Sequence, residues 1–326
     1  MNRIVAASFV AAVFIGALLL SGSAFSQGHK AVETVGSWRF SQDDRPVKVI
    51  TLAGSIGAWG KGNFSDFIRF TCDKVEVKNL AKTGYGAWAL KDRFKKKVLR
   101  NRRLNLKTMP NERWLIYGGG MNSVGMPEQT NSYMAETFVL AHQIGMKVVG
   151  LSLTPWGDEK DKRWRGFSGL KRKWNTQKIV DFIMGRLPRY IALNRPHSKG
   201  AAPEDIDEAS KWLEGEQADI GIDLYDSGLR HQDAPLRDEE KLRRRLRRDK
   251  KLWRDHGTEA EALTAASELP RWFMRKELRA FDHIHPNSKG HRIIAETACA
   301  KLPPSWACQC DRLANARWEK GRIVSQ

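Results

Sequence analysis

The chain has 326 residues, 41% of them hydrophobic, enough to bury the core of one large domain or two small ones. Its formal charge of +19 implies attraction to anions: phosphates, anionic lipid surfaces or acidic wall polymers. The four cysteines form no CxxC pair and there is no HxxxH or HExxH run, so neither a zinc site nor any other metal or cofactor is expected.

Asn2 and Arg3 precede an apolar run from Ile4 to Leu20, and Ser21, Gly22, Ser23 and Ala24 follow. A basic start, an apolar middle and a small-residue exit describe a secretory signal peptide over residues 1–26, cleaved after Ala24 or Ser26. The alternative is an uncleaved anchor, because the run approaches the roughly 18–20 residues that span a bilayer. No later segment is apolar enough to span, so any membrane contact is expected only through this segment. The expected location is periplasmic or secreted. Export permits disulfides. A bridge from Cys299 to Cys308 or Cys310 is expected, and the spacing does not choose between them.

Residues 27–46 are polar and read as a linker or an outer edge strand. Val47 to Leu52 is a buried strand that ends in small residues, with Ser55 on the turn beyond it. Phe64, Phe67, Ile68 and Phe70 suit a helix. Val75 to Leu80 alternates as a second strand, and Lys82 to Gly86 is a loop. Trp88 to Leu99 is a basic amphipathic helix. Trp114 to Tyr117 is a short strand running into Gly118-Gly119-Gly120-Met121-Asn122. Helical spacing from Met134 to Ile144 stops at Gly145. Lys147 to Leu153 is another buried strand. Asp158 to Lys173 reads as a loop rich in Trp, Lys and Arg. Ile179, Phe182, Ile183 and Leu187 form one helical stripe. Ala218 to Leu224 reads as a last strand. Arg237 to Asp255 contains KLRRRLRR and reads as a charged surface helix, either solvated or in contact with an anionic surface or polymer. Strands alternating with helices imply a mainly parallel sheet with helices on both faces.

Late in the chain stands Asp282-His283-Ile284-His285-Pro286. Pro286 disfavours helix at His285, so these residues sit on a loop. An Asp three residues before a His can place its carboxylate on the imidazole, fixing the tautomer and leaving the other nitrogen as a base. Ser55, Asn79-Leu80-Ala81-Lys82-Thr83-Gly84, Gly120-Met121-Asn122 and Asp282 to Pro286 occur in the order of the SGNH/GDSL hydrolase signatures. The chain resembles that family from roughly Val47 to Leu302, most weakly between Trp156 and Arg279.

The resemblance implies a three-layer α/β/α sandwich, flavodoxin-like, with about five mainly parallel strands. It implies Ser55 as nucleophile, His285 as general base and Asp282 as its orienting acid. The Ser55 and Gly84 N–H groups and the Asn122 side chain would form the oxyanion hole. His285 fits the D-x-x-H-P spacing in preference to His283 and His291. The sequence departs from the pattern at Gly54, where the family has Asp, and at Ser123. The hydrolase-like domain is expected over residues 47–305, with an insertion at about 157–275 acting as a lid or surface contact, and a tail at 306–326. Trp59 and Trp88 are expected to pack the core rather than line a pocket. Gly118 to Gly120 lacks the following Lys-Ser/Thr of a P-loop.

The implied activity is an exported serine esterase acting through an acyl-enzyme on O-acyl, chiefly acetyl, esters. An anionic cell-wall or surface polysaccharide is the favoured substrate, motivated by export, basic charge and the twelve tryptophans. The alternatives are an acyltransferase using the same serine and an inactive polymer-binding protein. Nucleic acid is not an expected partner of an exported chain.

Overall fold

The structure, a computed structural model, describes residues 38–41, 45–104, 106, 110–193, 203–248 and 257–325. The expected signal peptide lies outside them. Among the described residues, no helix is long and apolar enough to cross a membrane.

β1 (Val47–Ala53) is buried along its whole length. Its side chains alternate: Ile50 and Leu52 enter one apolar cluster, and Val47, Val49 and Ala53 enter another. A strand apolar on both faces must lie inside a sheet covered on both sides. β1 pairs in parallel with β2 (Val75–Asn79) and β3 (Glu112–Gly118). β4 (Lys147–Leu151) and β5 (Ile220–Ile222) extend the sheet in the same sense, giving the order β2-β1-β3-β4-β5. The register sets Ala53 opposite Gly118, so β1 and β3 end side by side.

The helices, in chain order, are α1 (Phe64–Thr71), α2 (Ala87–Phe94), α3 (Pro127–His142), α4 (Gly166–Ile183), α5 (Arg189–Leu193), α6 (Pro203–Ser210), α7 (Glu239–Leu246), α8 (Glu259–Ser267) and α9 (Ser288–Cys299). Leu90, Phe94, Met134, Phe138, Ile179 and Phe182 bring α2, α3 and α4 onto one face. Phe64, Phe67, Ile68, Ile294 and Ala298 bring α1 and α9 onto the other. The expected three layers are therefore present. α1 starts where it does because Asn63 accepts from the Ser65 and Asp66 N–H groups while Asp66 reaches back, a capping box. α3 begins earlier than its apolar spacing indicates, at Pro127, whose fixed φ suits the first helical turn.

Several expected boundaries are corrected. Trp38 and Phe40 are each only 6% exposed, and Trp38 Nε1 donates to the Lys97 carbonyl at 2.9 Å. This part of 27–46 is neither a loose linker nor a strand. The Asp158–Lys173 stretch is only partly loop, because α4 starts at Gly166. Trp164 seats that start by packing edge-on against Trp156 and Phe273. The 157–275 segment is not wholly an insertion either, since α4 covers the sheet and β5 belongs to it. What stands apart is a small cluster of Phe167, Leu170, Leu242, Ala262, Leu263 and Ala266, joining α7 and α8 to α4. The charged helix is present as α7, and residues 249–256 lie outside the described residues.

The 306–326 tail is likewise built into the fold. Trp306 and Leu313 are fully buried, and a hairpin of β6 (Ala316–Glu319) and β7 (Arg322–Ser325) follows. Two disulfides fasten this end. Cys299 at the end of α9 pairs with Cys310, one of the two expected choices, and Cys308 pairs with Cys72, which caps α1. The second bridge spans 236 residues of sequence. A crosslink of that span restricts the unfolded chain strongly. The paired change Cys72→Ser with Cys308→Ser is expected to lower the unfolding free energy by about 2–5 kcal/mol. Urea titration checks this, and an unchanged midpoint would count against it.

Candidate active site

The strand order reverses between β1 and β3, since the chain leaves β1 for β2 on one side and returns to β3 on the other. Open α/β sheets leave a crevice at the carboxyl ends of strands at such a switch point. Ser55 lies just past the end of β1, Gly84 in the loop after β2, and Asn122 in the loop after β3. The final loop before α9 brings His285 to the same place. Its Nε2 lies 2.7 Å from Ser55 Oγ. Its Nδ1 is hydrogen-bonded to Asp282 Oδ2. The three expected residues therefore form one continuous relay, and neither His283 nor His291 takes the place of His285.

Asp282 serves backbone and side chain at once. Its Oδ1 accepts from the N–H groups of Ile284 and His285, each at 3.0 Å, which curls the loop around the carboxylate. Burial works against its charge, but the His285 N–H, the imidazole and the Ile284 N–H together hold the carboxyl below its ordinary value. The loop is also held from outside. His283 sits at φ 62, and its carbonyl accepts from the Gly157 N–H at 2.9 Å. Arg279, one strut of the same loop, is hydrogen-bonded to the Gly157 carbonyl at 2.9 Å and ion-paired with Asp158. Beyond the loop, Asn287 caps α9 through the Lys289 and Gly290 N–H groups and donates to the Glu277 and Arg279 carbonyls.

On the opposite side, Asn122 Nδ2 donates to the Tyr85 carbonyl at 3.2 Å, which fixes the amide and leaves its second hydrogen uncommitted there. Gly84 has φ +81 with open space where a Cβ would stand, so its backbone is exposed to an incoming group. Among the described residues, neither the Ser55 nor the Gly84 N–H is used in a backbone hydrogen bond. Gly54 explains part of its own departure from the family pattern. A Cβ there would come within 3.2 Å of the Tyr85 carbonyl and 3.5 Å of Asn122 Nδ2, the pair that positions the amide.

Sequence reasoning missed the wall behind the relay. Trp59 is half-buried and stacks on the His285 ring, 6.2 Å between centroids at 22°. Its other neighbour is His291, at 6.0 Å, which also faces Phe64. Trp59 is thus neither plain core nor pocket lining but a support for the imidazole. Its place four residues after Ser55, on the same turn, was the available signal. Trp88 also departs from expectation: it is 58% exposed at the start of α2. Met126, just past the Asn122 loop, and Phe281, beside Asp282, are exposed as well. Beside Ser55 opens a small cavity of about 30 Å³, lined by Gly118 to Met121, Leu151, Leu153, Leu224 and Ile294 among others. Among the described residues, no cluster of His, Cys, Asp and Glu is arranged to hold a metal.

No family profile and no curated protein matches the sequence. Solved structures with low similarity include a GDSL-like lipase from Bacteroides thetaiotaomicron, 12% identical with a TM-score of 0.41, covering 78% of this chain and 86% of that one. Another belongs to the lipolytic G-D-S-L family from Veillonella parvula, 12% identical, TM-score 0.40, covering 77% and 96%. A third is a catalytic mutant of an acetylxylan esterase from Geobacillus stearothermophilus, 11% identical, TM-score 0.39, covering 79% and 95%.

His291 gives the site a pH-dependent cost. It is fully buried, and neither ring nitrogen has a partner among the described residues. Burial first, then the neighbouring His285, pushes it down to about 3. The unfolded chain therefore binds this proton more readily. Stability from a neutral His291 is complete above about pH 6.5, the ordinary histidine value, and is lost as pH falls toward the folded value. The unfolding free energy is expected to fall between pH 6.5 and pH 4 more steeply in the native protein than in His291→Leu, by up to about 1.4 kcal/mol per pH unit. Parallel curves in denaturant titrations would remove His291 as the cause.

Proposed function

We propose that this protein is an exported serine esterase of the SGNH/GDSL type, removing short O-acyl groups from a cell-wall or surface polysaccharide. The observation that carries the reading is the Ser55–His285–Asp282 relay, with Nε2 at 2.7 Å from the hydroxyl. A serine hydroxyl is a weak nucleophile until a neighbouring base takes its proton. Ser55 Oγ attacks the acyl carbonyl as its proton passes to His285 Nε2. Asp282 holds the imidazole in the tautomer with Nδ1–H and stabilises the imidazolium. The oxyanion is received by the Ser55 and Gly84 N–H groups and by Asn122 Nδ2. Collapse of the tetrahedral intermediate breaks the bond to the alkoxy oxygen, which takes the proton from Nε2 and leaves as the alcohol. Water, deprotonated by the same nitrogen, then attacks the acyl-enzyme and releases the acid. An assembled relay favours this reading over that of an inactive binding protein.

The cavity beside Ser55 supports a short acyl group. About 30 Å³ is room for two or three water-sized groups, an acetyl rather than a fatty chain. The exposed Trp88 offers an aromatic face for a sugar ring at the rim.

The first test is hydrolysis of p-nitrophenyl acetate by the protein lacking residues 1–26. Ser55→Ala is expected to abolish turnover above background, and Asp282→Asn to reduce kcat by roughly 10⁴-fold through the wrong tautomer. Equal rates in the native protein and Ser55→Ala would overturn the mechanism. Across p-nitrophenyl esters, kcat/KM is expected to drop at least tenfold from acetyl to octanoyl. A rise with chain length would show that the small cavity is not where the acyl group sits.

A further inference from the structure

Far from Ser55 in sequence, a second and larger cleft of about 500 Å³ opens between α7 and the start of α4. Six cationic side chains and two carboxylates, Glu159 and Asp238, line it. Four of the cations, Lys241, Arg244, Arg245 and Arg248, follow one another at i, i+3, i+4 and i+7, the spacing of a single helix face. The flank beside these cations is tied down, because Leu242, at the edge of the cleft, is buried in one cluster with Phe167, Leu170 and Leu263. The cationic face therefore has a fixed orientation. It extends about 10 Å along the helix axis, enough to meet several anionic groups in a row.

The charges on this face are not all neutralised from within. Lys241 pairs with Asp238 at 3.2 Å and Arg244 with Glu240 at 2.7 Å. Arg245 and Arg248 are exposed and carry no ion pair among the described residues. Neighbouring like charges repel, so a row of them is stabilised by an external polyanion.

The cleft is joined to the catalytic loop by consecutive residues. Gly157 donates to the His283 carbonyl, Asp158 pairs with Arg279, and Glu159 holds Arg237 in the wall of the cleft at 2.9 Å. One short strap thus touches both the loop that carries His285 and the basic cleft.

We infer that this cleft binds an acidic polysaccharide, the polymer whose ester groups Ser55 is proposed to cleave, and so acts as a recognition site outside the catalytic centre. The inference rests on the esterase reading for the ester, but the binding itself does not require turnover. The lining favours this polymer over other polyanions. Among the described residues, it contains no aromatic side chain on which nucleic-acid bases could stack. Among the described residues that line the cleft, the apolar side chain, Leu242, is buried, so the lining offers no apolar group to enter a membrane. Arginine guanidinium groups pair with carboxylates in two-point contacts, which suits uronic acids along a chain.

Binding is measured with the catalytically silenced Ser55→Ala protein and polygalacturonate as the probe, with neutral dextran for comparison. Salt-sensitive binding to polygalacturonate and none to dextran are expected. Adding Arg245→Glu and Arg248→Glu is expected to weaken binding at least tenfold. The equal charge change Lys96→Glu with Arg100→Glu, on the α2 side, is expected to change it less than threefold. Equal weakening by both pairs would mean that only net charge matters and would overturn the site. Tighter binding of phosphatidylglycerol vesicles or a single-stranded oligonucleotide, lost through the same two arginines, would overturn the class of partner. With Ser55 intact, the double reversal is expected to raise KM at least tenfold on O-acetylated polygalacturonate and leave p-nitrophenyl acetate hydrolysis unchanged. Absent aryl-ester turnover in the native protein would refute the esterase while the binding result still stood or fell alone.

Discussion

The contact between His285 Nε2 and Ser55 Oγ joins residues 230 apart in sequence, and much of the architecture answers to that requirement. Ser55 is placed by β1, a fully buried strand between β2 and β3. His285 is placed by a loop that has no regular structure of its own. The proton relay proposed here tolerates displacements of about half an ångström at most, so its loop has to be held from several directions. Asp282 holds it from within, Asn287 from the helix behind, and Gly157 and Asp158 from across the sheet. Gly290 allows the approach that makes this possible, because any Cβ there would lie 2.2 Å from the Leu278 carbonyl. The two disulfides act on the same layer: one ends at the cap of α1, the other at the last residue of α9, and both reach the segment 308–310. The pair of helices under the relay is fastened at the end far from the chemistry.

Readings of this chain divide according to whether a feature is local. The five strands were legible because buried parallel strands are short apolar runs bounded by glycine and polar residues. The relay residues and the oxyanion candidates were legible because each sits within a short motif: Ser55, Gly84 and Asn122 just past strand ends, Asp282 and His285 on the loop before α9. Features made by distant segments were not. Nothing in Trp38 or Phe40 announces burial, since the groups that bury them lie far along the chain; the Trp38 indole finds its acceptor 59 residues away. Trp164 starts a helix in a stretch that reads as loop, because three aromatic rings converge there only after folding. The Arg279–Asp158 pair spans 121 residues, and neither partner stands out among the many charges of this sequence. Trp59 and Trp88 illustrate the same limit in opposite directions: composition offered one expectation for both, and topology sent one beneath the imidazole and the other to solvent.

Gly54, where the resembled SGNH/GDSL pattern has aspartate, bears on how the proposed site is held together. In the aspartate's absence the space above the turn is shared by the Tyr85 carbonyl and the Asn122 amide, which bond to each other. The loop after β2 and the loop after β3 are thereby tied across the end of β1. A preorganised donor costs no rearrangement when charge develops on a substrate, and this tie holds the Asn122 amide, the proposed donor, against a main-chain carbonyl. It also keeps a negative charge away from the place where the oxyanion is proposed to form.

The proposed esterase centre provides little information about which ester it meets. The cavity beside Ser55 is small and apolar, and one methyl group in such a pocket discriminates by only about 1–3 kcal/mol. Selectivity for a polymer therefore has to come from contacts away from the acyl group. The basic side chains of this protein are unequally committed. Lys48, Arg189 and Arg279 sit in half-buried or buried pairs with Glu76, Glu216 and Asp158, where they hold elements of the fold together. Among the described residues, Arg245 of α7 and Arg248 just past its end stand outside such pairs, beside a leucine that fixes the helix to the rest of the structure. Charge that folding does not consume, set on a rigid face and connected by three residues to the loop that carries His285, is placed where the proposed polysaccharide would meet it, apart from the chemistry proposed for Ser55.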